Sequence, residues 1–435
     1  MVNTKAMSGF MELTPDMQVE FDRIKRIIEE SYCSFGFTPL DTPVLERSEV
    51  LLAKAGGETE KQIYRFTRGD SDISLRFDLT VPLARYVADH YNDLTFPFRR
   101  SHIAKVYRGE RPQKGRYREF YQCDIDVIGE GELSIAYDAE IPRVIYSIFS
   151  QLDFGKFTIR VSNRKILSGL IDYLGMGDIS TEIMRVIDKA DKVSRAELNA
   201  ELKSFDMSSR QLGLLNRYVF ANGSSDDILT TLRSAGIGNA ELTQGIDELE
   251  TVVSLMRSMG IPESYFRIDL TIARGLDYYT GTIYETTLDE YPRLGSVCSG
   301  GRYDDLASHY IGKKLPGVGV SIGLTRLFSQ LIEQGIVKSR KKSIADVLVM
   351  PLDSNQITDA LQLADNMRNS GMNVDVLLTE GSVKKKFRYA DRIGIQQVVV
   401  VGADEVRKGR FILQDMVSGE RQKLTLEELT KLTNE

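Results

Sequence analysis

The chain has 435 residues, 27% of them charged and 42% hydrophobic, with a formal net charge of −6. That length predicts two or three domains rather than one. The acidic balance excludes a general polyanion binder, so contact with nucleic acid or nucleotide has to run through local basic patches.

The three cysteines, Cys33, Cys123 and Cys298, are far apart and form no CxxC pair. This spacing argues against a disulfide framework and a structural zinc site, and it predicts a reducing, cytoplasmic setting. The opening MVNTKAMSGFMELTPDM lacks the apolar run of a signal peptide. No apolar run approaches the roughly 20 residues needed to cross a bilayer, so no membrane role is expected.

In chain order, MQVEFDRIKRIIEESYCSFG (17–36) has apolar residues at helical spacing and stops at Gly36. FTPLDTPVL reads as extended, and ISLRFDLTVPLARYVA as a strand entering a helix with Pro82 in its first turn. PFRRSHIAKVYR and RYREFYQCDIDVIG are strand-like and joined by GERPQKG, which predicts a long antiparallel hairpin. Residues 164–257 change texture to helical pattern with few aromatics, an inserted helical domain. Strand-like segments return at FRIDLTIARGLDYYTGTIYETTL, followed by SVCSGGRYDDL and PGVGVSIGLTRLFSQLI. A basic linker, 337–344, precedes a β-α-β-α-β pattern over 345–435, a separate α/β domain. There the run Lys384, Lys385, Lys386, Arg388 and Arg392 offers either a nucleic-acid face or a solvated helix end.

The hairpin stretch YRGERPQKGRYREFYQCDID carries five cationic side chains and then two carboxylates. Alternate strand residues share a face. Arg116, Arg118, Phe120, Gln122, Asp124 and Asp126 therefore fall on one side, and Glu119, Tyr121, Cys123, Ile125 and Val127 on the other. The first face suits a ligand that is anionic and aromatic at one end and cationic or hydrogen-bond-donating at the other. Taken alone, the same pattern also describes a solvent-exposed hairpin face. Other segments shift the balance: DLT (78–80) adds an acid near a strand end, ARGLDYYTG (273–281) an Arg and two tyrosines, and GVGVSIGLTR a close backbone and Arg326. There is no GxxxxGK[ST], no GxGxxG in a βαβ setting, and no HExxH or triad among His90, His102 and His309. Phosphate chemistry done by arginines remains.

These segments resemble the three signature motifs of class II aminoacyl-tRNA synthetases: the first helix and the strand with Pro43, then YRGERPQKGRYREF, then GVGVSIGLTRL. ARGLDYYTG and SGGRYDDL resemble two peptides peculiar to histidyl-tRNA synthetases, and the resemblance covers nearly the whole chain. It implies an α+β fold, an antiparallel sheet flanked by helices (1–163 and 258–336), with the helical insertion (164–257), the linker (337–344) and an anticodon-binding domain (345–435). It implies a homodimer whose partners are tRNA(His) and L-histidine and which uses ATP with Mg²⁺, the metal bridging ATP phosphates rather than held by the protein alone. Histidyl-adenylate forms first and the histidyl group then passes to the tRNA.

By match to the family's motifs, Arg108 and Arg274 are the catalytic arginines. Arg108, Glu110, Arg116, Phe120 and Arg326 bind ATP, with Phe120 on adenine and Arg116 and Arg326 on the γ-phosphate. Asp78, Thr80, Arg108, Gln122, Asp126, Arg274, Tyr278, Tyr279 and Tyr303 grip the histidine, and Gln113 and Arg118 contact the tRNA. Many bacterial relatives carry Glu where this chain has Asp78 and Asp126; DLTVP and QCDID resemble the eukaryote-like branch. Three rivals stand beside this reading: a catalytically dead regulatory paralogue, a synthetase for proline, threonine or glycine, and a non-catalytic RNA-binding module. The two histidine-type peptides and the intact arginines oppose them.

Overall fold

The structure, a computed structural model, describes residues 2–53, 60–111, 115–273, 275, 278–304, 307–338 and 342–431. The chain divides into two compact units, Met1–Met11 with Ile24–Ile336, and Glu12–Arg23 with Val337–Glu435.

The first unit is built on strands β1 (Thr38–Pro39), β2 (Leu45–Arg47), β3 (Arg65–Arg68), β4 (Ser71–Leu75), β5 (Phe98–Tyr107), β6 (Glu119–Ile128), β7 (Phe157–Asn163), β8 (Phe266–Ile268), β9 (Thr282–Leu288), β10 (Ser296–Tyr303) and β11 (Gly317–Ile322). Eight of them form one sheet in the order β1-β5-β6-β11-β10-β9-β7-β8, and β2-β4-β3 form a small second sheet. From β5 to β7 every neighbour is antiparallel; only the short outer strands β1 and β8 pair in parallel. This is the α+β class with an antiparallel sheet.

Alternation explains the two faces of that sheet. Cys123, Ile125 and Val127 of β6 are fully buried on one face. There Tyr32, from the helix Pro15–Ser34, donates its hydroxyl to the Cys123 carbonyl at 2.9 Å. The helix Ala136–Leu152 buries Ile141, Ile145 and Ile148, a stripe at helical spacing. The other face carries the polar residues of β5 and β6. Between β7 and β8 run six helices from Arg164 to Ser258, three of them opened by capping boxes at Ser194, Ser208 and Ser224.

Two local readings change. The second arm of the hairpin becomes strand only at Glu119, so alternation does not reach Arg116 and Arg118. The described residues of the ARGLDYYTG segment, expected as strand, turn instead: Gly275 takes φ +64°, and the N–H groups of Tyr278 and Tyr279 both fold back on its carbonyl, at 3.0 and 2.9 Å.

The second unit has β12 (Val347–Pro351), β13 (Val374–Val376), β14 (Gln397–Val401), β15 (Arg410–Asp415) and β16 (Arg421–Thr425), ordered β13-β12-β14-β15-β16. The first three are parallel, as the β-α-β-α-β pattern predicts, and an antiparallel pair follows them. Lys386, read as part of a basic face, turns inward instead. It is 5% exposed and donates to the Pro351 carbonyl at 2.7 Å, closing the end of β12.

Candidate active site

The polar face of the large sheet is organised in rows set by strand register. Arg100 of β5 pairs with Asp126 of β6, and Asp126 with Gly319 of β11. One step along, His102 pairs with Asp124 and Asp124 with Ser321. Gln122 and then Phe120 continue the same face toward the hairpin turn.

Asp126 is the centre of the acidic end. Its Oδ2 lies 2.6 Å from Arg100 Nη2, and its Oδ1 accepts from the Tyr303 hydroxyl at 2.8 Å. Burial raises the Asp126 carboxyl, while Arg100 and the Tyr303 hydrogen bond hold it down. Backbone approach makes room for this arrangement. A Cβ on Gly319 would sit 2.2 Å from Asp126 Oδ1, and one on Gly317 would meet the Tyr303 ring at 2.4 Å. The Tyr278 ring packs 5.1 Å from Tyr303 and 5.3 Å from Tyr279. The buried Tyr278 hydroxyl and Gln122 Oε1 have no hydrogen-bond partner among the described residues, the signature of groups that meet a ligand.

Asp78 precedes the helix Thr80–Asp89 and accepts the N–H groups of Thr80 and Val81 at 3.1 and 2.9 Å. Those two hydrogen bonds fix that carboxylate just ahead of the helix, beside the same cleft. Its proximity is felt electrostatically by both Asp124 and Arg108.

At the cationic end, Arg108 donates to the Phe77 carbonyl at 3.2 Å. Its guanidinium lies 4.5 Å from the Phe77 ring centroid and 5.0 Å from that of Phe120. Arg108 thus already covers Phe120 from one side. Burial lowers the Arg108 pKa, opposed by Asp78 and Glu110; a buried guanidinium of this kind calls for an anion. Glu110 pairs with Arg116 at 3.4 Å, and the Glu110 carbonyl accepts Arg118 Nε at 3.1 Å. Arg118 also reaches the Ser8 carbonyl at 3.5 Å, so its guanidinium links Glu110 to the N-terminal segment. Arg326, near the start of the helix Leu324–Glu333, donates to the Leu294 carbonyl at 3.3 Å. A Cβ on Gly115 would lie 3.9 Å from Arg326 Cγ, so the turn beside Arg116 abuts this helix. Arg274 and Gln113 lie outside the described residues.

Farther across the sheet a cavity of about 190 Å³ is lined by Ile272, Gly275, Tyr279, Ile283, Tyr284, Glu285, Ser299 and Gly300. Beneath it Arg160 of β7 binds Asp269 at 2.8 Å, Asp191 at 2.6 Å, Glu285 at 3.1 Å and Thr271 Oγ1 at 2.7 Å. Asp269 and Thr271 anchor the segment that leads into ARGLDYYTG. Among the described residues, no group of three or more His, Cys, Asp or Glu side chains is placed to hold a metal ion.

Sequence reading named neither Arg100, Asp124 nor Ser321 as site residues, nor Arg160. Asp124 was visible as a member of the polar face. Its partners were not, because they come from β5 and β11 and depend on register.

Comparison with known proteins gives a consistent picture. Residues 9–327 match the family model described as histidyl-tRNA synthetase, and residues 346–435 the model for an anticodon binding domain. The histidine–tRNA ligase of Clostridium tetani is 47% identical over 432 residues, covering 99% of this chain and 98% of that protein. That of Finegoldia magna is 43% identical over 429 residues, covering 99% of each. The crystal structure of histidyl-tRNA synthetase from Nostoc sp. PCC 7120 superposes with a TM-score of 0.93 at 39% identity, over 99% of this chain and 100% of that one. An ATP phosphoribosyltransferase regulatory subunit/histidyl-tRNA synthetase from Bacillus halodurans shares the fold, with a TM-score of 0.76 at 21% identity.

Proposed function

The chain belongs to the histidyl-tRNA synthetase family, and from that membership we propose how its residues share the work. The reaction is ATP-dependent activation of L-histidine to histidyl-adenylate, followed by transfer of the histidyl group to the 3′ end of tRNA(His). In the first step a carboxylate oxygen of histidine bonds to the α-phosphorus. The bond from that phosphorus to the bridging oxygen breaks, and pyrophosphate leaves with the electron pair. In the second, a ribose hydroxyl of the tRNA attacks the acyl carbon and AMP departs.

One observation carries the assignment of roles: a single sheet face with Arg108 between two phenylalanines at one end and the Arg100–Asp126–Tyr303 cluster at the other. Arg108 holds the histidine carboxylate and the α-phosphate, and Arg274 stands opposite. A preorganised guanidinium fork neutralises charge that develops there without reorganising. Arg116 and Arg326 take the γ-phosphate. Phe120 offers adenine the ring face that Arg108 leaves open, with Glu110 beside it. Asp126, Tyr278, Tyr279 and Tyr303 read the imidazole, and Asp78, Thr80 and Gln122 the amino group. A pocket that must pair polar ligand atoms rejects analogues lacking them by ~10⁴–10⁵.

The donor set at the cationic end, three arginines and one aromatic ring, fits a nucleoside triphosphate. Mg²⁺ would reach it on the phosphates, where it supplies charge neutralisation. The catalytic core is residues 1–163 with 258–336. The insertion 164–257 and the turn residues Gln113 and Arg118 meet the acceptor end of the tRNA, and 345–435 the anticodon. The active form is a homodimer in the cytoplasm; among the described residues no helix is long and apolar enough to cross a membrane. ATP–pyrophosphate exchange with each of the twenty amino acids tests the reading. Exchange with histidine alone is expected, and a preference for another amino acid would sink it.

A further inference from the structure

Resting on the reading of this cleft as a histidine pocket, we propose that Asp124 and Ser321 are positioning residues. They fix the Gln122 amide so that its carbonyl, rather than its N–H groups, meets the α-ammonium group of the amino acid.

Gln122 Nε2 donates to Ser321 Oγ at 2.9 Å and lies 3.5 Å from Asp124 Oδ1. Ser321 stands opposite Asp124 across β6 and β11, so the two side chains flank the Gln122 amide on its Nε2 side. A hydroxyl oxygen and a carboxyl oxygen both accept hydrogen bonds. Both therefore draw the N–H side of the amide rather than its carbonyl. With its N–H side engaged, Gln122 presents Oε1, which is buried and lacks a partner among the described residues.

The position of that oxygen selects the ligand group. Along β6, Gln122 lies between Phe120, covered by Arg108, and Asp126, bonded to Tyr303. The carboxylate belongs at Arg108 and the ring at Asp126, so the ammonium group, on the carbon between them, falls at Gln122. Ammonium donates and never accepts, so an amide turned the other way would oppose it.

The charged surroundings agree. Burial pushes Asp124 up to about 7, Asp126 and Asp78 add to the shift, and Arg100 and the Ser321 hydrogen bond oppose it. His102 faces it from β5, and Arg108 feels its charge. An arriving ammonium group favours the ionised carboxylate, the stronger acceptor for the Gln122 N–H.

The test is isothermal titration of the full-length protein with L-histidine and with 3-(imidazol-4-yl)propionate, the same molecule without its amino group. Ser321→Ala and Asp124→Asn are expected to reduce the wild-type preference for histidine by about tenfold or more, with affinity for the propionate changing less than about threefold. Folded variants that keep the wild-type ratio, or that lose affinity for both ligands equally, overturn the proposal. If Asp124→Asn does not fold, Ser321→Ala decides alone. A wild-type protein that binds no histidine removes the pocket reading itself, a separate result.

Discussion

His102 of β5 and Asp124 of β6 face each other directly across the hairpin, and burial drives their titrations in opposite directions. The His102 imidazole is lowered to about 4 by burial and then by Arg100, against a bond to Asp41 at 2.9 Å; the Asp124 carboxyl is raised to about 7.

The signs can be separated by mutation. Between pH 4 and 6.5 unfolded His binds a proton that the native His102 does not, so its contribution falls as pH drops. Between roughly pH 4 and 7 native Asp124 keeps a proton that the unfolded chain loses, so its contribution falls as pH rises. In the wild type the two oppose each other. Relative to wild type, Asp124→Asn is expected to lose unfolding free energy as pH drops from 7 to 4, and His102→Asn to gain it. Each slope is at most about 1.4 kcal/mol per pH unit. Urea unfolding at a series of pH values measures both; parallel pH curves for all three proteins contradict this pairing.

Arg108→Ala removes the guanidinium between Phe77 and Phe120. Adenylate formation is expected to drop by about 10²–10³ or more. Pyrophosphate exchange within tenfold of wild type would count against the role given to this arginine.

Gly319→Ala places a methyl group where Asp126 Oδ1 and the Ile125 carbonyl now lie, at 2.2 and 2.4 Å. The carbonyl belongs to the strand, so β6 and β11 must part locally and Asp126 moves with them. The expected result is a KM for histidine raised about tenfold or more, with a smaller change in KM for ATP. Equal changes in both would show that the substitution disturbs the sheet generally.

Arg160→Met leaves the buried Glu285 and the largely buried Asp269 without their shared cation. Losing one partner of a buried pair costs about 3–5 kcal/mol, visible as a lowered Tm. Asp191, whose side chain is 53% exposed, is different. Asp191→Asn is expected to change stability by no more than about 1 kcal/mol. A larger effect of Asp191→Asn than of Arg160→Met would reverse this ranking.

The sequence carried a good deal of this structure and missed specific parts of it. Period-two alternation in EFYQCDIDVI is a local property, so the face shared by Phe120, Gln122 and Asp126 is legible from β6 alone. The Arg100–Asp126 pair is not, because it depends on how β5 slides against β6. Ser321 is invisible for the same reason: β11 reaches Asp124 from 197 residues away in sequence. The segment around Gly275 misleads because TIARGLDYYTGTIYETTL has strand composition, while one positive φ folds both tyrosines back together. Lys386 misleads because charge in a helical run is usually solvated, whereas carbonyls at the end of β12 give this ammonium group a partner.

The insertion of β11 between β6 and β10 bears on how the molecule is made. This strand is the last of the large sheet to leave the ribosome, yet it fills the middle of it. Until residues 317–322 emerge, β6 and β10 present two open edges, the condition under which nascent chains mispair or aggregate. Catalytic competence therefore arrives in a single late event, and a chain cut short before Gly317 would hold almost every predicted ligand-binding side chain without any way to bring them together.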